Sequence, residues 1–242
     1  MNEQEFYEVW QRDVRAIDPF DVAVEGGGLA ENPGLIFIAG YQACIQATFP
    51  ELDKKLWYSF AVSEDRSPDS ERPGVTRDEF TITGFKTWIA AVNQVDVLVL
   101  KVGNGEEAVY GTVPARSTEV ILSSKQEPGF LPDMSQGQAE FRGAELSLLK
   151  DPSGVANFGK SEPFYIYLAF LGRLITLQGP IARQAEEALA AQRVTQDLVS
   201  LDSKVSAILE QMKSDELQLG ANWQTDRRLF SMYSKGIQSA LS

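Results

Sequence analysis

The chain has 242 residues, of which 43% are hydrophobic and 23% charged, so it can bury a sizeable core and is not a disordered polymer. Its formal net charge of −12 opposes binding to nucleic acid or to an anionic membrane, which need clustered Lys and Arg. Histidine is absent, which removes His-based triads and most zinc sites, and no metal site is expected.

The single Cys44 excludes an intramolecular disulfide and suggests a reducing compartment. It lies in the very apolar segment 35–47, where a buried core thiol is expected rather than a reactive one. The opening residues Met1-Asn2-Glu3-Gln4-Glu5 lack the layout of a signal peptide. The apolar stretches 34–47 and 164–177 fall short of the about 20 residues that span a bilayer. These features together predict a cytoplasmic protein.

Phe6, Val9, Trp10, Val14 and Ile17 recur at helical spacing and predict an amphipathic first helix that ends before Pro19. Gly26-Gly27-Gly28 follows no strand and lacks dinucleotide or P-loop spacing, so it reads as a connecting loop. Asn32-Pro33 reads as an N-cap with proline at the first helical position. The helix it opens is apolar nearly all round and is stopped by Pro50.

From Leu56 the pattern changes to strands. Segments 57–62, 79–83, 86–89, 95–102, 108–113, 119–123 and 138–149 are short, rich in β-branched or aromatic residues, and separated by turn residues. Gly103-Asn104-Gly105 is the clearest hairpin signal. Segment 63–74 is a polar loop flanked by Arg66, Arg72 and Arg77, whose charges read as a solvated surface.

Asp151-Pro152-Ser153-Gly154 marks a second boundary. Beyond Pro163 the pattern is helical to the end, with breaks expected near Asp202 and Gly220. Val205, Ile208, Leu209 and Met212 form one apolar stripe, and Trp223, Phe230, Tyr233, Ile237 and Leu241 another. The expected fold class is α+β: N-terminal helices over 1–55, a central antiparallel β-domain over 56–150, and a C-terminal helical hairpin or small bundle over 151–242.

Two strand motifs carry a resemblance. Phe60-Ala61-Val62-Ser63-Glu64 is followed by Gly84-Phe85-Lys86-Thr87-Trp88-Ile89-Ala90, and a helix begins Gly172-Arg173-Leu174-Ile175-Thr176. In this order they resemble the acyl-CoA dehydrogenase family, over roughly residues 34 to 193. The resemblance implies that FAD is wedged between the β-domain and the helical bundle. It implies cofactor contacts at Phe60, Val62, Ser63, Trp88, Ile89 and Ala90, and substrate contacts at Asp69 and Arg173.

The chain departs from the family pattern at several points. A Gly-Ser-Asp turn is replaced by Asp65-Arg66-Ser67-Pro68-Asp69, of which only Asp69 matches. Ala90 stands where the family carries a hydroxyl, and Gly172 where some members carry the catalytic glutamate. The late Tyr-Glu-Gly-Thr-like loop that supplies the base in other members has no counterpart, so no catalytic residue is assigned.

Two functions follow. One is an acyl-CoA dehydrogenase-like flavin oxidoreductase acting on acyl-CoA or a similar substrate; the other is a non-catalytic descendant that binds a small ligand or a protein. A bundle shorter than the family's is expected to expose apolar helix faces, and so to form a homodimer or a complex with a longer homologue through the C-terminal helices.

Overall fold

The structure is a computed structural model, and it describes residues 1–65, 67, 69–126 and 129–241. The chain folds as two compact units, one built from Met1–Ala47, Gly129–Asp133 and Ala156–Ser242, the other from Thr48–Pro128 and Met134–Val155.

The first unit is helical: α1 (Glu3–Asp13), α2 (Pro19–Leu29), α3 (Pro33–Thr48), α4 (Phe158–Ile175), α5 (Pro180–Thr195), α6 (Leu198–Ser214), α7 (Trp223–Asp226) and α8 (Arg228–Leu241). The start of α1 is fixed by a capping box, in which the Asn2 side chain accepts from the Glu5 N–H and Glu5 from the Asn2 N–H. The first helix stops at Asp13, so Ile17 lies outside it and is exposed. Pro19 begins α2 instead of only ending α1: it sits at a first helical position behind the Asp18 cap, where its missing N–H is not needed.

The glycine trio is therefore helical, not a loop. It lies within α2 because α2 and α4 cross at very short range: a Cβ on Gly27 would lie 2.0 Å from the Ala169 carbonyl oxygen, and one on Gly172 would lie 2.3 Å from that of Val24. Asn32 caps α3 by accepting from the Leu35 N–H, as expected, and Leu35, Ile36, Phe37 and Ile38 on successive faces are all buried. Cys44 is a buried thiol, in no disulfide, on the same helix.

The C-terminal breaks fall after Ile175, after Thr195 and between Ser214 and Trp223. Asp202, expected near a break, is buried in the second turn of α6. Pro163 lies inside α4, within its first turns, so the helix begins five residues before it.

The second unit holds β1 (Tyr58–Ala61), β2 (Thr76–Asp78), β3 (Thr81–Ala90), β4 (Val97–Val102), β5 (Val109–Pro114), β6 (Val120–Ser124), β7 (Gln136–Glu145) and β8 (Ser147–Leu148). They form two four-stranded sheets, ordered β1-β4-β5-β8 and β2-β3-β7-β6. Pairing is antiparallel except between β1 and β4, which run parallel with Tyr58 opposite Val97. Ile82, Ile89, Leu98, Leu100, Val113, Ala139 and Phe141 pack into the core of this unit.

The hairpin at Gly103-Asn104-Gly105 joins β4 to β5, with positive φ at both glycines (82° and 62°). The two segments expected at 79–83 and 86–89 are one strand, β3, and β2 is an addition whose three residues are all exposed.

Candidate functional site

The geometry around the two strand motifs is set by the join between β1 and β3. Ser59 accepts the Ala90 N–H on its Oγ (3.0 Å), and the Ser63 carbonyl accepts the Thr87 N–H (2.9 Å). The two motifs, more than 20 residues apart in sequence, thus lie edge to edge. Beyond Ala61 the chain leaves the core: Val62 is 42% exposed, and Ser63 is exposed too. The register of β3 against β7 shifts between Lys86 and Ile89, an irregularity that re-aims the intervening side chains. Trp88 lies in that shift, half-buried, and its indole N–H donates to Gln136 Oε1 (3.3 Å).

The other residues assigned to a cofactor sit deeper. Phe60 is buried against Phe49 and Tyr110, and Ile89 and Ala90 are buried in the β unit. Asp69 is exposed on the loop after β1; Arg66 lies outside the described residues. That loop is organised by Asp65, which accepts from the Ser67 N–H and from the hydroxyls of Ser67 and Ser70; these hydrogen bonds bring its carboxyl down to about 2. Arg72 donates to Gln138 Oε1 (2.7 Å), and Arg77 is exposed.

Beside Val62 and Ser63 lies an ion pair that the sequence reading quoted within its motifs but gave no role. Lys86 is 1% exposed, and its ammonium donates to Glu64 Oε1 and to the Lys101 carbonyl. Glu64 also accepts the Val75 N–H (3.2 Å), and its carboxyl lies where a Cβ on Gly74 would come within 2.6 Å. Val62, Ser63, Glu64, Lys86, Lys101, Gly103 and Asn104 line a cavity of about 390 Å³. A lysine in a strand with Phe85 and Trp88 on either side was the sequence signal, because a buried ammonium needs a carboxylate partner.

Arg173 belongs to the helical unit, in the last turn of α4. Its Nη1 donates to Thr176 Oγ1 (3.2 Å), while its Nε is buried and has no hydrogen-bond partner. Gly172 before it cannot be exchanged for a residue with a side chain unless α2 moves, given the 2.3 Å approach to Val24.

A second polar cluster is buried in this unit. Asp202 accepts from Tyr167 (2.7 Å), Ser234 (3.0 Å) and Gln238 (3.2 Å), so its carboxylate is held by three neutral donors. Glu162 on α4 hydrogen-bonds with Tyr233 on α8, and burial pushes its carboxyl up to about 7. Among the described residues no group of three or more His, Cys, Asp or Glu side chains is placed to hold a metal ion, and no helix is long and apolar enough to cross a membrane.

No protein-family model matches the sequence, and no curated protein is significantly similar to it. Solved structures are similar in fold. A prolyl acyl carrier protein oxidase, AnaB, is 14% identical, with 87% of this chain and 77% of that chain covered at a TM-score of 0.58. PigA in complex with FAD and proline is 13% identical over 92% of this chain and 81% of that one, with a TM-score of 0.57. FkbI, for biosynthesis of a methoxymalonyl extender unit, is 12% identical over 97% and 81%, also at 0.57. At such identities the likeness is one of fold.

Proposed function

We propose that this chain, which has the fold of the acyl-CoA dehydrogenase family, is an FAD-binding oxidoreductase that acts on an acyl thioester. The observation that carries this reading is the edge-to-edge placement of the exposed Val62–Ser63 step and Trp88, locked by the Thr87-to-Ser63 backbone hydrogen bond. A flat heteroaromatic ring needs an apolar shelf and a few fixed polar groups, and these residues offer both.

The residues present fit FAD in part. Val62 and Trp88 would bear on the ring and exclude water from it, and the Ser63 hydroxyl would donate to its polar edge. Phe60, Ile89 and Ala90 are buried behind that surface and would support it, Ala90 with no hydroxyl to offer. The Asp65 loop is closed on itself by its three hydrogen bonds, so this stretch offers no glycine-lined cradle for a phosphate. FAD, when bound, would supply the two-electron acceptor. Arg173, through its unpartnered Nε, would orient an anionic or carbonyl oxygen of the substrate, with Asp69 at the loop as a further substrate contact.

Two of the solved neighbours are named for a prolyl carrier-protein substrate or bound proline, which favours an acyl or aminoacyl thioester as the substrate class. The partner we assign is a second copy or a longer homologue joined through the C-terminal helices, where Met232 is 59% exposed. The buried thiol of Cys44, in no disulfide, suits a reducing, cytoplasmic location.

A specific observation favours a second reading, a non-catalytic ligand-binding or protein-binding scaffold. The Gly172 position has no room for a glutamate, so one of the family's two base positions is closed by the α2–α4 crossing. The test is the visible flavin absorbance of protein incubated with FAD and then desalted. Near-stoichiometric flavin that Trp88→Ala loosens about tenfold supports the oxidoreductase reading, the change expected from losing roughly 1.5 kcal/mol of ring contact. A colourless protein leaves the scaffold.

A further inference from the structure

We infer that the cleft between α6 and α8 is a binding site for a diphosphate-bearing small molecule. The cleft encloses about 580 Å³ and is lined by Lys213, Arg227, Arg228 and Lys235, with Glu210 the only acid on its wall among the described residues. Four cations converge there in a chain whose net charge is −12. The site lies in the helical unit and does not rest on the flavin reading.

Spacing places these groups. Ser206, Leu209 and Lys213 follow one another by three and four residues on α6, and Arg228, Ser231 and Lys235 do the same on α8, so each helix turns one face to the cleft. Buried Phe230 adds an apolar floor, and Ser206, Ser231 and Ser234 line the wall. Arg228 and Lys235 are seven residues apart, about 10 Å along the helix. Two linked phosphates, each taking a forked Arg or a Lys, match cations spread over that distance better than one phosphate does.

Ordinary structural duties account for only part of this charge. Lys213 lies 3.9 Å from Glu210 near the end of α6, where a cation complements the helix dipole. Arg228 donates to the Gly129 carbonyl (2.6 Å) and covers the Phe130 ring at 4.9 Å. Arg227 and Lys235 make no side-chain hydrogen bond or ion pair with the described residues. Arg227 and Arg228 stand at the start of α8, the end where the helix dipole disfavours positive charge. Asp226 beside them is buried, with one oxygen on the Leu131 N–H (3.2 Å) and the other without a hydrogen-bond partner, and its charge attracts Arg228. A bound anion explains Arg227 placed there; helix stability does not.

The test is calorimetric titration of the whole chain with inorganic pyrophosphate, at low and at physiological salt. The expected result is saturable binding that weakens with salt and drops at least tenfold in Arg227→Gln/Lys235→Gln, whose circular dichroism should match the parent because neither side chain makes a hydrogen bond or ion pair with the described residues. Should that pair perturb folding, Lys235→Gln alone, exposed on α8, is expected to lose several-fold. ADP in a competing arm identifies the source. Tighter binding than pyrophosphate marks a nucleoside diphosphate, and weaker or equal binding a bare diphosphate group. No saturable heat from the parent chain, or equal affinity in parent and variants, overturns the site.

Discussion

A carboxyl largely buried without a cation makes Glu162 a sensor of pH. Its hydrogen bond with Tyr233 favours the ionised form, but burial outweighs it and raises the folded-state value to about 7. The group facing it is Tyr233 on α8, itself raised by burial and by Glu162, with the Cys44 thiol on α3 and Tyr167 on α4 bearing in turn on Tyr233. Since the folded value lies above the ordinary carboxylate value, the protonated form is the one folding favours. Stability from this group is full at acid pH and is lost as pH rises from the ordinary range through about 7, by up to about 3 kcal/mol. Glu162→Gln should remove that slope. Denaturant midpoints at about pH 5 and about pH 8 check it: the parent should fall and the variant stay level. Equal slopes would show that Glu162 is solvated.

The Lys86–Glu64 pair makes a second residue-scale case. Removing one partner leaves a charge without its complement, so Lys86→Met is expected to destabilise by about 3 kcal/mol. The double variant Glu64→Gln/Lys86→Met should recover much of that loss, because it removes both charges together. Additive losses in the cycle would show that the two groups do not act as a pair. Both residues were in plain view in the motifs, but 22 positions separate them. Only the β1–β3 join makes them neighbours.

At the scale of elements, helices and strands with a strong period were legible and the crossings were not. Segments 95–102, 108–113 and 119–123 appear as β4, β5 and β6 within a residue or two at either end, because β-branched residues recur and turn residues bound them. Strand β2, Thr76-Arg77-Asp78, has no apolar face to announce it and is held by its pairing to β3. The glycine trio misled for a related reason. Glycine favours loops when its surroundings are unknown, yet in α2 it lets two backbones approach where no Cβ fits. Gly172→Ala should therefore lower stability by about 1–3 kcal/mol through overpacking, with Gly27→Ala similar. Chemical denaturation reads both, and a neutral outcome would mean that α2 can shift. A glutamate at residue 172 should be harsher, which is why the missing base reads as part of the packing and not as a lone lost side chain.

For the whole molecule the question is how far the two units unfold together. Each has its own buried cluster: α3 and α4 with Leu35, Ile38, Leu168 and Leu171 in one, and β3, β4 and β7 with Ile89, Leu98 and Phe141 in the other. The sequence marked where strands begin and helices resume, but not that residues 129–133, between β6 and β7, belong to the helical unit. Leu131 donates its N–H to Asp226, Gly129 accepts from Arg228, and Asn222 donates to Asp133 (3.3 Å), all contacts set by residues nearly 90 or more positions away. Separate cores predict two calorimetric transitions, since cooperativity follows shared packing more than shared chain. Lys86→Met should then lower the transition of the β unit and leave the other near its parent temperature, and Gly172→Ala should do the reverse. If both variants instead lower one common transition by similar amounts, with calorimetric and van't Hoff enthalpies equal, the units unfold as one, and stability lost in either core is lost to both.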